Sequence, residues 1–339
     1  MRRLATPWLV CLALPALAAE APAPELRTAP GHPMRYWVAR PPGWAAGRRY
    51  PVLVAVTDAA KQWEQTLRDY ARARDAGSSP FLVVVPLAVT NGPGDVSRIR
   101  EAYPYDAATW ERVAREGRCR FDLDGLQAVL RDVAARDGGE PRAWLTGLEA
   151  GAHTVFLAAF AHPEWLRAAA VISGNWVGRC FRQEPAVAFS RAPERVSLPL
   201  RTWDVEGDPQ VFLEQQAQAL AEAREHGFGG TSVAPSRLPS RAAAPAAVVE
   251  WFAWLSGPPG PQAGARLRRL PARPWPRLGS ATPSGPPARR ATAPAGSSTG
   301  SGDPGKPRGS RETSSMQPAA PAASAAAAQT ASCSGPHPR

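Results

Sequence analysis

The sequence predicts an α/β fold, in which helices cover both faces of a doubly wound, mostly parallel sheet. Two observations support this prediction. From Pro51 onward, strand-like segments alternate with helical ones, which is the pattern of right-handed crossover connections. Several strand-like segments are continuous apolar runs, as expected of strands that are buried on both faces. Residues 1–19 and 257–339 lack this alternation, so the predicted domain spans residues 20–256.

The predicted strands and helices follow one another along this domain. Strands are expected at residues 34–40, 51–57, 81–87, 143–147, 168–173, 198–205 and 231–236. Helices are expected at residues 62–74, 123–136, 151–161, 210–226 and 245–255. Residues 88–121 form a long irregular segment, and loops of that length tend to be functional or to act as lids.

The first 19 residues have the pattern of a Sec-type signal peptide. Arg2 and Arg3 precede an apolar run at 8–17, and residues 16–18 form a small-residue cleavage site. The alternative is a membrane anchor, but the run is shorter than the roughly 20 apolar residues that span a bilayer. We therefore expect a soluble, exported protein without a transmembrane segment, located in the periplasm or outside the cell.

Residues 257–339 are dominated by Pro, Ala, Ser and Gly, and this composition predicts a disordered tail. The tail carries eleven Lys and Arg against two acidic residues, so it holds most of the net charge of +11. Its densest basic cluster, RLRRLPARPWPR at 266–277, could bind an anionic surface or a polyanion. The alternative is a solvated tail without a defined partner, and we do not infer nucleic-acid binding from it.

Two of the four cysteines, Cys119 and Cys180, lie in the predicted domain. In an exported protein we expect them to pair as a disulfide. The predicted elements place Cys119 just before a helix and Cys180 just after a strand, near the same end of the sheet. The alternative is two free thiols.

The stretch LTGLEAG, residues 145–151, has the spacing of a nucleophile elbow. In the pattern G-x-S-x-G, a serine occupies a sharp strand-to-helix turn. Here the central residue is Glu149, between Gly147 and Gly151. The stretch lies between a predicted strand and a predicted helix, at the edge of the sheet where ligands bind. The sequence therefore predicts an elbow with a carboxylate in place of the hydroxyl.

This turn, the segments at 145–174 and 198–210, and the order of elements together resemble the α/β-hydrolases. Within them the resemblance is to the secreted polyhydroxybutyrate depolymerase and feruloyl esterase group, and it covers residues 34–256. It implies a triad of Ser, Asp and His in that chain order, an oxyanion loop after an early strand, and ester substrates.

Two of the implied triad positions carry side chains that cannot perform the family's chemistry. Glu149 stands at the nucleophile position. The histidine position falls within residues 236–245, which contain no histidine, and Arg241 is placed there. Arginine stays protonated, so it cannot act as a general base. Asp208 matches the acid position, although it could equally be the N-cap of the helix that follows Pro209.

The implied oxyanion loop is also altered. Where the family has a His-Gly pair after the second strand, this chain has Thr57 and Asp58, followed by two alanines. Asp58 places a negative charge where an oxyanion needs hydrogen-bond donors. The sequence therefore predicts that hydrolysis through the triad has been lost.

We expect Glu149, Arg241 and Asp208 to form an ion network, because the planar arginine fork can bond carboxylates. The alternative is that the side chains of Glu149 and Arg241 simply face water. His153 lies four residues after Glu149, at the spacing of a metal-binding pair. Without a third ligand in view, local packing of His153 is favoured over a metal site.

Three functions are consistent with these residues. The favoured one is an exported pseudo-hydrolase that binds a small molecule or a polymer, or acts as a scaffold. The alternatives are a hydrolase that works through Glu149, and an envelope-associated protein that acts through its basic tail. No cofactor and no metal is expected. The aromatic residues that could line a ligand cleft, each of which could instead belong to the core, are Tyr103, Tyr105, Trp110 and Trp176.

Overall fold

The computed structural model describes residues 21–77, 79–91, 100–183, 187–230 and 236–257. The expected signal peptide and basic tail therefore lie outside the described residues, apart from Gly257. In the described part of the chain, eight strands form one sheet: β1 (Glu25–Thr28), β2 (Arg35–Ala39), β3 (Val52–Val56), β4 (Leu82–Pro86), β5 (Ala143–Leu148), β6 (Leu166–Ile172), β7 (Leu200–Val205) and β8 (Ser236–Leu238). The α-helices are α1 (Trp63–Asp75), α2 (Ala107–Glu116), α3 (Arg118–Asp137), α4 (Ala150–Ala161), α5 (Arg179–Arg182), α6 (Gln210–Glu225) and α7 (Ala244–Ser256).

The strands lie in the order β1, β2, β4, β3, β5, β6, β7, β8. β2 runs antiparallel to both of its neighbours, and the strands from β3 to β8 run parallel to one another. This confirms the predicted mostly parallel, doubly wound sheet. The carboxyl ends of the parallel strands share one edge, which is where ligands bind in such sheets. The segments that follow β3, β5, β6, β7 and β8 meet at this edge.

The central strands are buried on both faces. In β3, Val52, Val54 and Val56 point into the core that contains α3, α4 and α6, whereas Leu53 and Ala55 face α1 and α7. Every residue of β3 and of β4 is buried. Two-sided burial explains the continuous apolar runs of the sequence, and each buried large aliphatic side chain contributes about 1.5–3 kcal/mol. Among the described helices, none is long and apolar enough to cross a membrane.

The segment 88–121 is not one irregular loop, so this prediction was wrong. It contains α2 and the first turn of α3. Asp106 caps α2, because its carboxylate accepts a hydrogen bond of 2.8 Å from the Thr109 N–H. Gly117 adopts φ 80° and turns the chain between the two helices.

The strands at the two edges of the sheet also differ from the prediction. β1 was not predicted, because four residues are too short for a pattern to be recognised. It pairs antiparallel with β2, and its Glu25 lies opposite Val38. β8 begins at Ser236, where the predicted strand ends, and residues 231–235 lie outside the described residues.

A disulfide joins Cys119 to Cys180. Cys119 lies inside the first turn of α3 and not before that helix, and Cys180 lies inside α5 and not directly after a strand. The bridge therefore ties two helices together across 61 residues of sequence. Disulfides typically stabilise a fold by about 2–4 kcal/mol.

Asp122, in α3, is fully buried and fixes the backbone after β4. Its carboxylate accepts hydrogen bonds from the Val89 N–H (2.9 Å), the Thr90 N–H (2.7 Å) and the Thr90 hydroxyl (2.6 Å). Burial raises the pKa of Asp122 to about 6, and the hydrogen bonds and Arg118 offset only part of this effect. The anchored segment continues to Asn91, whose Nδ2 donates to the Thr57 carbonyl at 3.1 Å. The backbone after β4 is thereby tied to the end of β3.

Helix α4 begins in close contact with the end of β3, at Gly151. A Cβ atom at Gly151 would lie 2.5 Å from the carbonyl oxygens of both Val56 and Thr57. Backbone atoms cannot yield to such a contact as the end of a flexible side chain can. Glycine at this position is therefore a packing requirement.

We expect Gly151→Ala to lower the free energy of unfolding by about 1–3 kcal/mol, as overpacking does in well-packed cores. Helix propensity alone would favour alanine by up to about 1 kcal/mol, so a loss reports the steric contact. Urea denaturation measures the effect. The matched control is Gly257→Ala, where the nearest atoms to a Cβ lie at 3.6 and 3.8 Å. Equal effects of the two substitutions would contradict the packing requirement.

Asp122 gives the stability a defined pH dependence. Its ordinary pKa is 3.8, and its pKa in the folded protein is about 6. Between these values the folded protein binds a proton that the unfolded chain releases, so the free energy of unfolding falls as the pH rises through this window. Asp122→Asn cannot ionise. We expect the stability of the wild type relative to this variant to decrease between about pH 4 and 6 and to level off above that range.

Urea denaturation across this pH range measures the difference. Asp124→Asn is the control, because Asp124 lies on the same helix with its side chain 45% exposed. A pH-independent difference between wild type and Asp122→Asn would refute the assignment.

Candidate functional site

The turn between β5 and α4 has the strained backbone of a nucleophile elbow. Glu149 joins the two elements with φ 51° and ψ −113°, a conformation that non-glycine residues rarely adopt. Its N–H donates to the Ile172 carbonyl at 2.9 Å, and its carbonyl accepts from the Ala152 N–H at 3.0 Å. At Gly147, a Cβ atom would lie 2.5 Å from the Gly151 carbonyl oxygen. The two glycines therefore permit the tight turn, which holds Glu149 at the carboxyl edge of the sheet.

Arg241 lies between the carboxylates of Glu149 and Asp208. Its Nη1 is 3.6 Å from Glu149 Oε2, and its Nη2 is 3.4 Å from Asp208 Oδ1. The side chains of Glu149 and Arg241 are 25% and 40% exposed, and that of Asp208 is 5% exposed. The structure thus brings the three sequence-predicted residues together, rather than leaving Glu149 and Arg241 to face water alone. Pairs as exposed as Glu149 and Arg241 contribute about 0–1 kcal/mol.

Asp208 is held by the backbone of the loop after β7. Its Oδ2 accepts hydrogen bonds from the Ser173 hydroxyl and from the Val205 N–H, the latter at 3.1 Å. Helix α6 begins at Gln210, with Pro209 at the cap position and no side-chain capping bond. The N-cap interpretation of Asp208 was therefore wrong. The carboxylate turns toward Arg241 and Ser173 instead.

Ser173 is a member of this site that the sequence did not reveal. It follows β6, is fully buried, and adopts φ 52°. Its N–H donates to the Trp203 carbonyl at 2.9 Å, which fixes it between β6 and β7. Its hydroxyl donates a hydrogen bond to the carboxylate of Asp208. Ser173 was the last residue of the strand predicted at 168–173, but its positive φ was not visible in the sequence.

The described histidines lie in other contacts, so none supplies the missing base. His32 Nδ1 accepts from the Met34 N–H at 3.1 Å. His153 Nε2 lies 3.2 Å from Cys180 Sγ. His162 and His226 stack on aromatic rings. The spacing of Glu149 and His153 also produces no metal pair, because each contacts a different partner.

In the altered oxyanion loop, a side chain of the loop itself binds one of the backbone donors. Asp58 is partly buried, and its Oδ1 accepts the Ala60 N–H at 3.0 Å. Lys61, at φ 56°, donates from Nζ to the Ala59 carbonyl at 2.9 Å. Burial lowers the pKa of Lys61, and the charge of Asp58 acts in the opposite direction. The Asp58 carboxylate thus occupies a backbone donor of the loop after Thr57, where a hydrolase presents donors to an oxyanion.

The aromatic residues proposed to line a ligand cleft belong to the core, so this prediction was wrong. Tyr103, Trp110 and Trp176 are buried, and Tyr105 is partly buried against the same core. The hydroxyl of Tyr103 donates to the Ala88 carbonyl at 2.5 Å, and that of Tyr105 donates to the Leu87 carbonyl at 2.7 Å. These phenols satisfy backbone carbonyls after β4, and they therefore stabilise the segment anchored by Asp122.

Two recesses in the described chain lie away from the triad positions. One of about 300 Å³ is bordered by Arg120, Asp124 and His162. The other, of about 710 Å³, is bordered by residues that include Phe189 and His226. Neither is lined by Glu149, Asp208 or Arg241. These two recesses are therefore separate from the ion network.

Comparisons with known proteins give structural likeness at low sequence identity. No protein-family model matches the sequence, and a search of curated proteins finds no match. A thermostable esterase is 17% identical to this chain, with a TM-score of 0.44. The match covers 69% of this chain and 62% of the esterase chain. The poly(aspartic acid) hydrolase-1 from Sphingomonas sp. KT-1 is 13% identical over 70% of this chain and 98% of its own, with a TM-score of 0.46. A ferulic acid esterase is 10% identical over 69% of this chain and 96% of its own, with a TM-score of 0.43.

The topology itself determines the fold. The sheet has an antiparallel second strand, and the β4 strand lies between β2 and β3. The strained strand-to-helix turn follows the fifth strand, as the nucleophile elbow does in α/β-hydrolase sheets. This chain therefore has the α/β-hydrolase fold.

Proposed function

We propose that this protein has lost serine-hydrolase chemistry and uses the α/β-hydrolase fold to bind a ligand or to act as a scaffold. One observation supports the proposal above all. Arg241 lies within 3.6 Å of Glu149 and 3.4 Å of Asp208, where a triad histidine would contact a serine and an aspartate.

The side chains at these positions cannot exchange the required protons. In a triad, histidine takes the proton of the serine hydroxyl and later gives it to the leaving group. Arg241 stays protonated, so it can perform neither transfer. Attack of the Glu149 carboxylate on an ester carbonyl would form an anhydride, which is a less stable acyl compound than the ester. The usual route of ester hydrolysis is therefore closed at this site.

The charge of the site limits what can bind there. Two carboxylates and one guanidinium leave a net negative charge at the sheet edge. An anionic ligand would be repelled, whereas a neutral or cationic small molecule or polymer would not. The ligand of this edge is therefore of one of these two kinds.

A second candidate is a hydrolase that uses Glu149 as its nucleophile. The observation in its favour is the elbow itself, since the strained φ of 51° still holds a partly exposed carboxylate at the nucleophile position. Carboxylate nucleophiles on this fold attack alkyl carbon, and the resulting ester needs an activated water for its release. The ion pair between Arg241 and Glu149 Oε2, at 3.6 Å, weakens this candidate, because it places a positive charge beside one of the two attacking oxygens.

We also propose that the protein is exported, to the periplasm or the cell exterior. The signal-peptide pattern of residues 1–19 supports export, and so does the disulfide between Cys119 and Cys180. If the basic tail at 257–339 carries the function instead of the domain, the protein acts at an anionic envelope surface. Deletion of the tail separates these two functions, because ligand binding by the domain would persist.

The rate of hydrolysis of short-chain p-nitrophenyl esters tests the loss of activity. Loss of triad members lowers kcat by on the order of 10⁶ in serine hydrolases, so we expect the wild type to remain near the rate in buffer. Glu149→Ala should leave that rate unchanged. Glu225→Ala, at the far end of α6, is the matched control for removal of a carboxylate.

Two results would overturn the proposal. Rapid turnover that disappears in Glu149→Ala, but not in Glu225→Ala, would establish the carboxylate-based hydrolase. Rapid turnover that persists in both variants would place an active site elsewhere in the protein.

A further inference from the structure

Three soft metal-ligand atoms converge in the core, apart from the Glu149 site. They are Cys119 Sγ from α3, His153 Nε2 from α4 and Cys180 Sγ from α5. The potential ligand atoms of these side chains all lie within 4.8 Å of one another. Each residue is at most 2% exposed. Separate helices thus deliver two sulfurs and one imidazole to a single buried point.

The ring nitrogens of His153 lack good hydrogen-bond partners while Cys119 and Cys180 form the disulfide. Its Nε2 faces Cys180 Sγ at 3.2 Å, and a disulfide sulfur has no proton to donate. Its Nδ1 is buried and has no hydrogen-bond partner among the described residues. Buried polar atoms are normally paired, so such a ring needs an explanation. Packing alone would favour an apolar side chain at this position.

The surroundings keep the imidazole of His153 neutral. Burial, together with the positive charges of Arg179 and Arg118, lowers the pKa of His153 to about 3. Metal ions bind the neutral imidazole. Each arginine directly precedes one of the cysteines. The thiolate is the form of cysteine that binds metal.

We propose that Cys119, Cys180 and His153 bind one Cu(I) ion when the disulfide is reduced. Soft thiolates with imidazole select Cu(I) or Zn(II). Structural zinc takes four ligands, whereas the cluster in the described residues offers three. The bound unit of two thiolates and one Cu(I) carries a single negative charge. This site uses none of Glu149, Asp208 and Arg241, and it exists only where the cysteines are reduced, whereas the proposed exported form of the protein holds the disulfide.

The site forms in two steps, which are reduction of the disulfide and binding of Cu(I). A dithiol reductant supplies two electrons and two protons, and it becomes a disulfide while Cys119 and Cys180 become thiols. On metal binding, each thiol releases its proton to solvent. Two S–Cu bonds and one Nε2–Cu bond form, and copper remains Cu(I). In an oxidising compartment the same side chains form the disulfide, so the redox state decides between the two.

Anaerobic copper titration of the full chain tests the site. Cys11 and Cys333 are replaced by serine, so that only the two clustered cysteines remain. Protein that has been reduced and freed of reductant is titrated with Cu(I), in competition with a chromogenic Cu(I) chelator. Circular dichroism verifies that each sample is folded. We expect the reduced protein to retain a single Cu(I) and the oxidised protein to retain none.

Variants assign the ligands. Cys119→Ser should abolish retention, and His153→Leu, which keeps both cysteines, should weaken it by at least about 10- to 100-fold. His162→Leu is the matched control, because His162 stacks on Trp165 outside the cluster. X-ray absorption of the copper-loaded protein should show sulfur and nitrogen in the coordination shell.

Three results would refute the proposal. They are equal affinity of His153→Leu and wild type for Cu(I), preference of the wild type for Zn(II), and absence of copper from folded, reduced protein.

Discussion

The close packing of α4 against the sheet is the constraint on which the site depends. Gly151 lets the helix begin against the carbonyl oxygens that end β3, and Gly147 leaves room for the first turn of the helix beside β5. Because strand and helix meet so closely, the residue between them must adopt a positive φ, and Glu149 does so. Strain of this kind costs on the order of 1–3 kcal/mol. The fold is therefore less stable by this amount, and the Glu149 side chain is held at the carboxyl edge of the sheet.

With this geometry in place, the identities of the side chains decide the chemistry. A hydroxyl and an imidazole would form a hydrogen-bond chain to Asp208 in which the imidazole accepts the hydroxyl proton, whereas a carboxylate and a guanidinium form a chain of ion pairs. The same contacts then stabilise a charge distribution instead of moving a proton. The oxyanion loop changes in the same direction, because the Asp58 carboxylate holds the Ala60 N–H. Site and loop thus both carry charged side chains where a serine hydrolase has its proton-transfer groups and its oxyanion donors.

Strands could be predicted from the sequence where both of their faces are buried, as in β3 and β4. The positions of side chains that depend on long-range contacts could not. Tyr103 and Tyr105 looked available to a ligand, but their hydroxyls find carbonyls after β4, and no local pattern encodes that pairing. His153 was spaced to pair with Glu149. The i, i+4 rule holds only inside a helix, and Glu149 lies outside helical geometry, so His153 faces Cys180 instead. The convergence of Glu149 and Arg241 was predictable only because the fold's topology was recognised.

An ion network occupies the triad positions, and a double-mutant cycle on Glu149 and Arg241 measures the interaction between two of its members. The free energies of unfolding are measured for the wild type, Glu149→Gln, Arg241→Gln and the double variant. The account predicts a favourable coupling free energy of about 0.5–1 kcal/mol, the upper range for partly exposed pairs. An unfavourable coupling free energy would mean that the two side chains do not form an ion pair in the folded protein, and the ion network would then be wrong.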